Sequence, residues 1–205
     1  MPFSRRLLLG LPLAILAGLR DASAADPGSA AGLIERFYAT LLAVMKEAKR
    51  LSFDERYNRL APTIEETFDL GLMTRIAVGP GWTGLAPGQQ QRLSTAFARY
   101  SISTYANRFD DYGGERFEVD PNPAANPNGK LVTTWLVKSN GEKVGLNYLV
   151  HQDTAGSWKV IDVYLSGTVS ELATRRAEFV AVLQRDGADG LVQMIKRRTA
   201  ALRAG

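Results

Sequence analysis

Between Lys143 and Phe179 the spacing of apolar residues changes once, from every second residue to every three or four, and no other feature limits the chain as much. Val144, Leu146, Tyr148 and Val150 alternate with Gly145, Asn147, Leu149 and His151, which predicts a strand with one clearly apolar face. Asp153-Thr154-Ala155-Gly156 supplies turn residues. Trp158, Val160, Asp162 and Tyr164 then alternate with Lys159, Ile161, Val163 and Leu165. That second strand is apolar on both faces apart from Lys159 and Asp162, so each face needs cover. After Ser166-Gly167, Thr168 with Glu171 three residues on reads as a capping box, opening a helix with an inward stripe of Leu172, Phe179 and Leu183. A sheet that runs straight into a covering helix is the nucleus of an α+β domain.

The rest of the chain supplies the other strands and the cover. Phe117 and Val119 mark a short strand, and residues 131–137 mark the next, joined by Asn140-Gly141, a hairpin signal, to the strand from Lys143. With the strand at Trp158 this predicts a four-stranded antiparallel meander, strongly curved. Residues 120–129, with three prolines and three asparagines, predict an irregular loop. Upstream, Leu33, Phe37, Leu41 and Met45 form the stripe of an amphipathic helix over Ala31–Lys49. Ser52 with Glu55 starts a short helix that Pro62 is expected to break. Asp69 caps a further turn through Leu72, Met73 and Ile76 that stops at Gly79. Trp82 stands in a glycine-rich loop, and the longest helix is predicted from Pro87 to about Asp111. Asp186-Gly187 breaks the C-terminal helical region, after which Leu191, Ile195 and Ala200 face inward.

Length and charge exclude some functions. The 205 residues suffice for one domain with one sizeable core. Without cysteine that core has no disulfide to support it. Met1–Ala24 reads as an export segment: Arg5-Arg6, an apolar run over residues 7–19, and Ala22-Ser23-Ala24 as a cleavage site. The run is shorter than the ~20 residues a membrane span needs. Ser4-Arg5-Arg6-Leu7 also resembles a twin-arginine signal, so either the general secretory or the twin-arginine route serves. The formal charge of +4 includes three arginines and one aspartate of that segment. The remainder, residues 25–205, is therefore nearly neutral for its size, which argues against a nucleic-acid partner.

Few residues offer chemistry. His151, the single histidine, stands beside Asp153 as a candidate general base, or as an exposed histidine next to a turn. Asp162, on a mainly apolar strand, is either a buried acid acting as a base or a carboxylate bonded to backbone or to an arginine such as Arg176. No nucleophile elbow, phosphate loop, dinucleotide fingerprint or metal-ligand cluster is present, and no cofactor is implied.

Residues 158–179, WKVIDVYLSGTVSELATRRAEF, resemble the periplasmic lipid-shuttle family typified by MlaC, the toluene-tolerance auxiliary components, in which a W-x-V-x-D-V strand leads through a glycine turn to an Arg-x-x-Phe helix. The wording SGTVSELATRRAEF is similar to the hopanoid-associated HpnM branch. The series Tyr57, Arg59-Leu60, Pro62, Phe68-Asp69, Gly79 and Trp82 extends the resemblance through the N-terminal half. The resemblance implies a non-enzymatic shuttle that carries phospholipid or a hopanoid in the periplasm. Its implied partners are an inner-membrane ABC transport complex and an outer-membrane lipid donor or acceptor. It implies a pocket between sheet and helices lined by Phe37, Leu41, Phe68, Met73, Ile76, Phe97, Tyr105, Val144, Leu146, Tyr148, Val160 and Leu191, with Trp82 at the mouth. The need is physical: exposing about 16 methylenes to water costs roughly 13 kcal/mol, so a lipid crosses water only inside a carrier. The other class that fits is a small enzyme on a similar cone-like fold, using Asp162 or His151.

Overall fold

Four α-helices precede the sheet and one follows it in the computed structural model of the chain, which describes residues 25–204. The export segment predicted over Met1–Ala24 lies outside those residues. Helix α1 (Ala30–Glu47) begins at Ser29, whose hydroxyl accepts the Gly32 N–H at 3.0 Å, and buries the predicted stripe of Leu33, Phe37, Leu41 and Met45. Each such Leu or Phe, fully buried, contributes about 1.5–3 kcal/mol. Helix α2 (Phe53–Thr67) opens on a true capping box: Glu55 accepts the Ser52 N–H at 2.8 Å and Ser52 accepts the Glu55 N–H at 3.3 Å. Pro62 does not break it. The proline lies on the exposed side while Leu60, Ile64 and Thr67 bury the other, and their packing outweighs the missing N–H. Helix α3 (Leu70–Val78) starts at Asp69, which accepts the Leu72 N–H at 2.8 Å, and ends at Gly79, whose φ of 72° favours glycine. Helix α4 (Pro87–Arg108) is the longest before the sheet and stops three residues short of Asp111.

The sheet is antiparallel, as expected, but has seven strands rather than four: β1 (Arg116–Val119), β2 (Ala124–Asn126), β3 (Gly129–Val132), β4 (Thr134–Val137), β5 (Lys143–Gln152), β6 (Trp158–Leu165) and β7 (Val169–Ser170). The extra strands have local causes. The chain between Leu131 and Val137 is interrupted at Thr133, so β3 and β4 are successive pieces that both pair with one edge of β5. The proline-rich loop contains a strand after all: β2 turns back on β3, with Ala124 opposite Leu131. β7 is a two-residue return that pairs Ser170 with Tyr164. The strong curvature expected of the sheet is not found.

On its other edge β5 pairs with β6 through an irregular ladder. Val150 stands opposite Val160, yet Leu149 stands opposite Asp162, so Ile161 is the extra residue of a β-bulge. Beyond it, Tyr148 faces Val163 and Leu146 faces Leu165. A one-residue bulge exchanges the faces of every later side chain on its strand.

Helix α5 (Glu171–Ala204) returns across the helices and is divided at Gly187, with φ 68°, where the sequence predicts a break. Its cap is Ser170 rather than Thr168: Ser170 accepts the Ala173 N–H at 2.9 Å, and Glu171 pairs with Arg175 instead of closing a box. Leu191 and Ile195 are buried as predicted, whereas Ala200 is exposed. The core thus lies between one face of the sheet and α1 to α5. Among the described residues every fully buried side-chain polar atom has a hydrogen-bond partner.

Candidate functional site

The core is left open beside the sheet. A cavity of about 340 Å³ lies between the sheet, α4 and the start of α5, within the ~300–1,000 Å³ usual for ligand pockets. The strand pairing builds its floor. Leu136 of β4, Val144, Leu146 and Tyr148 of β5, and Val163 and Leu165 of β6 all line it. They do so as cross-strand partners: Leu136 with Val144, Leu146 with Leu165, Tyr148 with Val163. Ile64, Phe68 and Met73 close it from α2 and α3, and Leu172 closes it from α5. Helix α4 contributes Phe97, Ser101, Thr104, Tyr105 and Arg108, one face at helical spacing.

Aromatic rings stiffen the inner end. Phe37, fully buried, meets Phe68 and Tyr105 edge-on with ring centroids 5.3 Å away in each case, and Tyr148 at 6.2 Å. Tyr38 lies behind, its hydroxyl 2.6 Å from that of Thr134, which also bonds to the Leu146 carbonyl. Burial pushes the phenols of Tyr38, Tyr105 and Tyr148 well above the usual range, so each stays neutral at physiological pH.

The charged residues of the lining are Arg108, Glu171 and Arg175. Arg175 pairs with Glu171 at 2.6 Å, both side chains four-fifths or more buried, and its guanidinium stacks over Tyr100 at 4.8 Å. Arg108, in the last turn of α4, is exposed and forms no ion pair among the described residues. The arrangement suits a long apolar group inside and a polar, anionic end beside Arg108.

The structure brings together seven of the thirteen residues named for the pocket: Phe68, Met73, Phe97, Tyr105, Val144, Leu146 and Tyr148. The other six lie elsewhere. Phe37 forms the layer behind the cavity, and Leu41, Val160 and Leu191 are fully buried, close-packed core. Ile76 is half-buried on α3, away from the lining. Trp82 is half-buried in the 3-10 turn between α3 and α4, where its carbonyl accepts from Gln90 at 3.0 Å, and is not among the residues lining the cavity. Val163 and Leu165 were hidden from the sequence by the bulge, which moves them to the cavity face. Ser101, Thr104 and Arg108 carry a readable signal, their helical spacing from Phe97 and Tyr105.

Neither candidate base reaches the cavity. His151 is 3.2 Å from Asp69, not paired with Asp153, whose carboxylate instead ties its own turn by accepting the Ala155 and Ser157 N–H groups. Asp162 accepts the Ser170 hydroxyl at 2.5 Å and the N–H groups of Val163 and Leu172 at 2.8 and 3.3 Å, while Arg176 lies beside Gly79. Among the described residues no His, Asp or Glu cluster could hold a metal ion.

Fold and cavity together define an α+β domain built to hold an apolar ligand. The sequence profile described as "MlaC protein" matches residues 35–197, and the chain belongs to that family. A solved structure of a phospholipid-binding protein from Ralstonia solanacearum, in complex with a phospholipid, superposes with a TM-score of 0.73 at 27% sequence identity, covering 85% of this chain and 98% of that one. No curated protein matches by sequence.

Proposed function

We propose that the chain is a periplasmic shuttle that carries one phospholipid at a time between the two membranes of the cell envelope. It would exchange that lipid with an inner-membrane ABC-type complex and an outer-membrane donor or acceptor. The observation that carries this reading is the lining of the cavity: rings and aliphatic chains, with Arg108 and the Arg175–Glu171 pair as its charged members. An acyl chain gains roughly 0.8 kcal/mol per methylene buried there. A phosphate beside Arg108 receives a charge-assisted hydrogen bond. The phospholipid complex of the Ralstonia solanacearum protein and the export segment read over Met1–Ala24 support the reading.

The test is organic extraction of protein purified from the periplasm, followed by mass spectrometry. Phospholipid in near-stoichiometric amount is expected. A hopanoid in its place would keep the shuttle and change its cargo; protein that carries no lipid and takes none up from vesicles would end the proposal.

A further inference from the structure

Helix α4 also borders a groove on its other face. On the side away from the lipid cavity, α2, α4 and the C-terminal half of α5 enclose an open groove of about 800 Å³. Two ion pairs bound it: Arg92 to Asp189 at 2.8 Å between α4 and α5, and Arg203 to Asp54 between α5 and α2. Arg99 on α4 and Lys196 on α5 each follow the first pair by seven residues, about 10 Å along their helices. The two helices run in the same direction there, since Asn107 further along α4 donates to the Leu202 carbonyl further along α5 at 3.0 Å. Arg99 and Lys196 therefore stand level on opposite walls, both exposed, and neither has a carboxylate partner among the described residues. Two like charges facing one another across a groove repel unless an anion lies between them. The groove is not only charged. Phe53 and Tyr57, half-buried with rings 6.5 Å apart, and buried Val192 give it an apolar floor.

We propose that this groove docks an acidic amphipathic segment of a partner protein, with an apolar side chain on Phe53, Tyr57 and Val192 and flanking carboxylates on Arg99 and Lys196. A free anion would satisfy the charges and leave the apolar floor wet. A bilayer surface is too flat to reach a concave floor between three helices. A docked segment rests on the helix whose opposite face carries Phe97 and Tyr105 into the cavity, so docking and lipid exchange share one wall.

The probe is a labelled synthetic helix with leucines on one face and glutamates flanking them, titrated with the mature protein at low salt. A lysine-for-glutamate analogue and phosphatidylglycerol vesicles are the comparisons. The acidic helix is expected to bind, with affinity falling as salt rises, and the basic analogue is not. The double substitution Arg99→Glu with Lys196→Glu should weaken binding about tenfold or more while melting temperature and lipid content stay unchanged. Thr95→Trp, which fills the groove without altering charge, should weaken it too. Equal binding of acidic and basic helices, no binding of either, or full binding by the charge-reversed protein overturns the proposal. So does vesicle binding that depends on Arg99 and Lys196 in the absence of helix binding, which would make this face a membrane surface.

Discussion

Tyr148 stands opposite Val163 in the β5–β6 ladder, where an unbroken register from Val150 and Val160 would place Asp162. The bulge at Ile161 makes the difference, and its effect is chemical. Without it, a carboxylate would project beside Tyr148 into an apolar cavity, where an unpaired charge costs several kcal/mol. With it, Val163 and Leu165 complete the cavity floor, and Asp162 turns away to accept the Ser170 hydroxyl and the Leu172 N–H. The same carboxylate then holds β7 and the N-terminus of α5 against the sheet, where a negative charge is favoured.

Asp162 is therefore expected to support the fold and not the chemistry. Asp162→Ala leaves the Leu172 and Ser170 donors without their acceptor and should lower stability by about 1–3 kcal/mol in denaturant unfolding. Lipid recovered per folded molecule should stay within a few-fold. Loss of lipid by orders of magnitude from a protein that still unfolds cooperatively would give Asp162 a direct role.

Added bulk separates cavity from core. Val144→Trp and Leu146→Trp extend into open space, so the lipid-free protein should keep its melting temperature and lose co-purified lipid. Val160→Trp places the same bulk in fully buried, close-packed surroundings, and overpacking there costs about 1–3 kcal/mol. If all three destabilise alike, the β5 face is packed core and the lipid reading has lost its site.

The contrast between Val144 and Val160 also marks how much the sequence alone conveys. Alternation along residues 143–150 identifies the apolar face of β5, because that strand is regular. The same rule applied to β6 fails beyond Ile161, since a bulge shifts the period by one residue and leaves no mark in composition. Helix caps at Ser52 and Asp69 are legible because the signal is local, a side chain within three residues of the N–H it accepts. Phe37, Leu41 and Leu191 are apolar residues on inward helix faces, as cavity residues are. Which of them meets space depends on how neighbouring elements pack, and that is not written in either helix alone. Pro62 misleads for the opposite reason: a local rule against mid-helix proline yields to the burial of Leu60, Ile64 and Thr67.

On the proposed reading, Arg108 receives the lipid phosphate. Arg108→Glu adds a carboxylate to a lining that already holds Glu171 and should reduce retention of phosphatidylglycerol about tenfold, ~1.4 kcal/mol. Retention of a diacylglycerol with the same chains should not change, because the apolar lining is untouched. The measurement is native mass spectrometry of delipidated protein exposed to either lipid. Equal losses of both would mean that the substitution disturbed the cavity itself.

Three phenols at the inner end of the cavity, Tyr38 and Tyr148 buried and Tyr105 half-buried, set an alkaline limit. Desolvation raises the pKa of Tyr38, Tyr105 and Tyr148 well above that of a free phenol. In the unfolded chain the same groups ionise near pH 10. Above that pH the folded chain therefore holds more protons than the unfolded one, and stability falls as pH rises; below it the phenols are neutral in both states and their contribution is fully present. Unfolding free energy should show no loss attributable to these groups up to about pH 10 and decline steeply beyond it. Phenolate absorbance should appear in two stages, the more exposed of the seven tyrosines first and these three only as the fold opens. Tyr38→Phe removes one of the late groups and should make the decline shallower. Reversible ionisation of all seven phenols near pH 10 in a protein that keeps its native circular dichroism would show that water reaches the aromatic inner end of the cavity, and its exclusion from these rings would have to be abandoned.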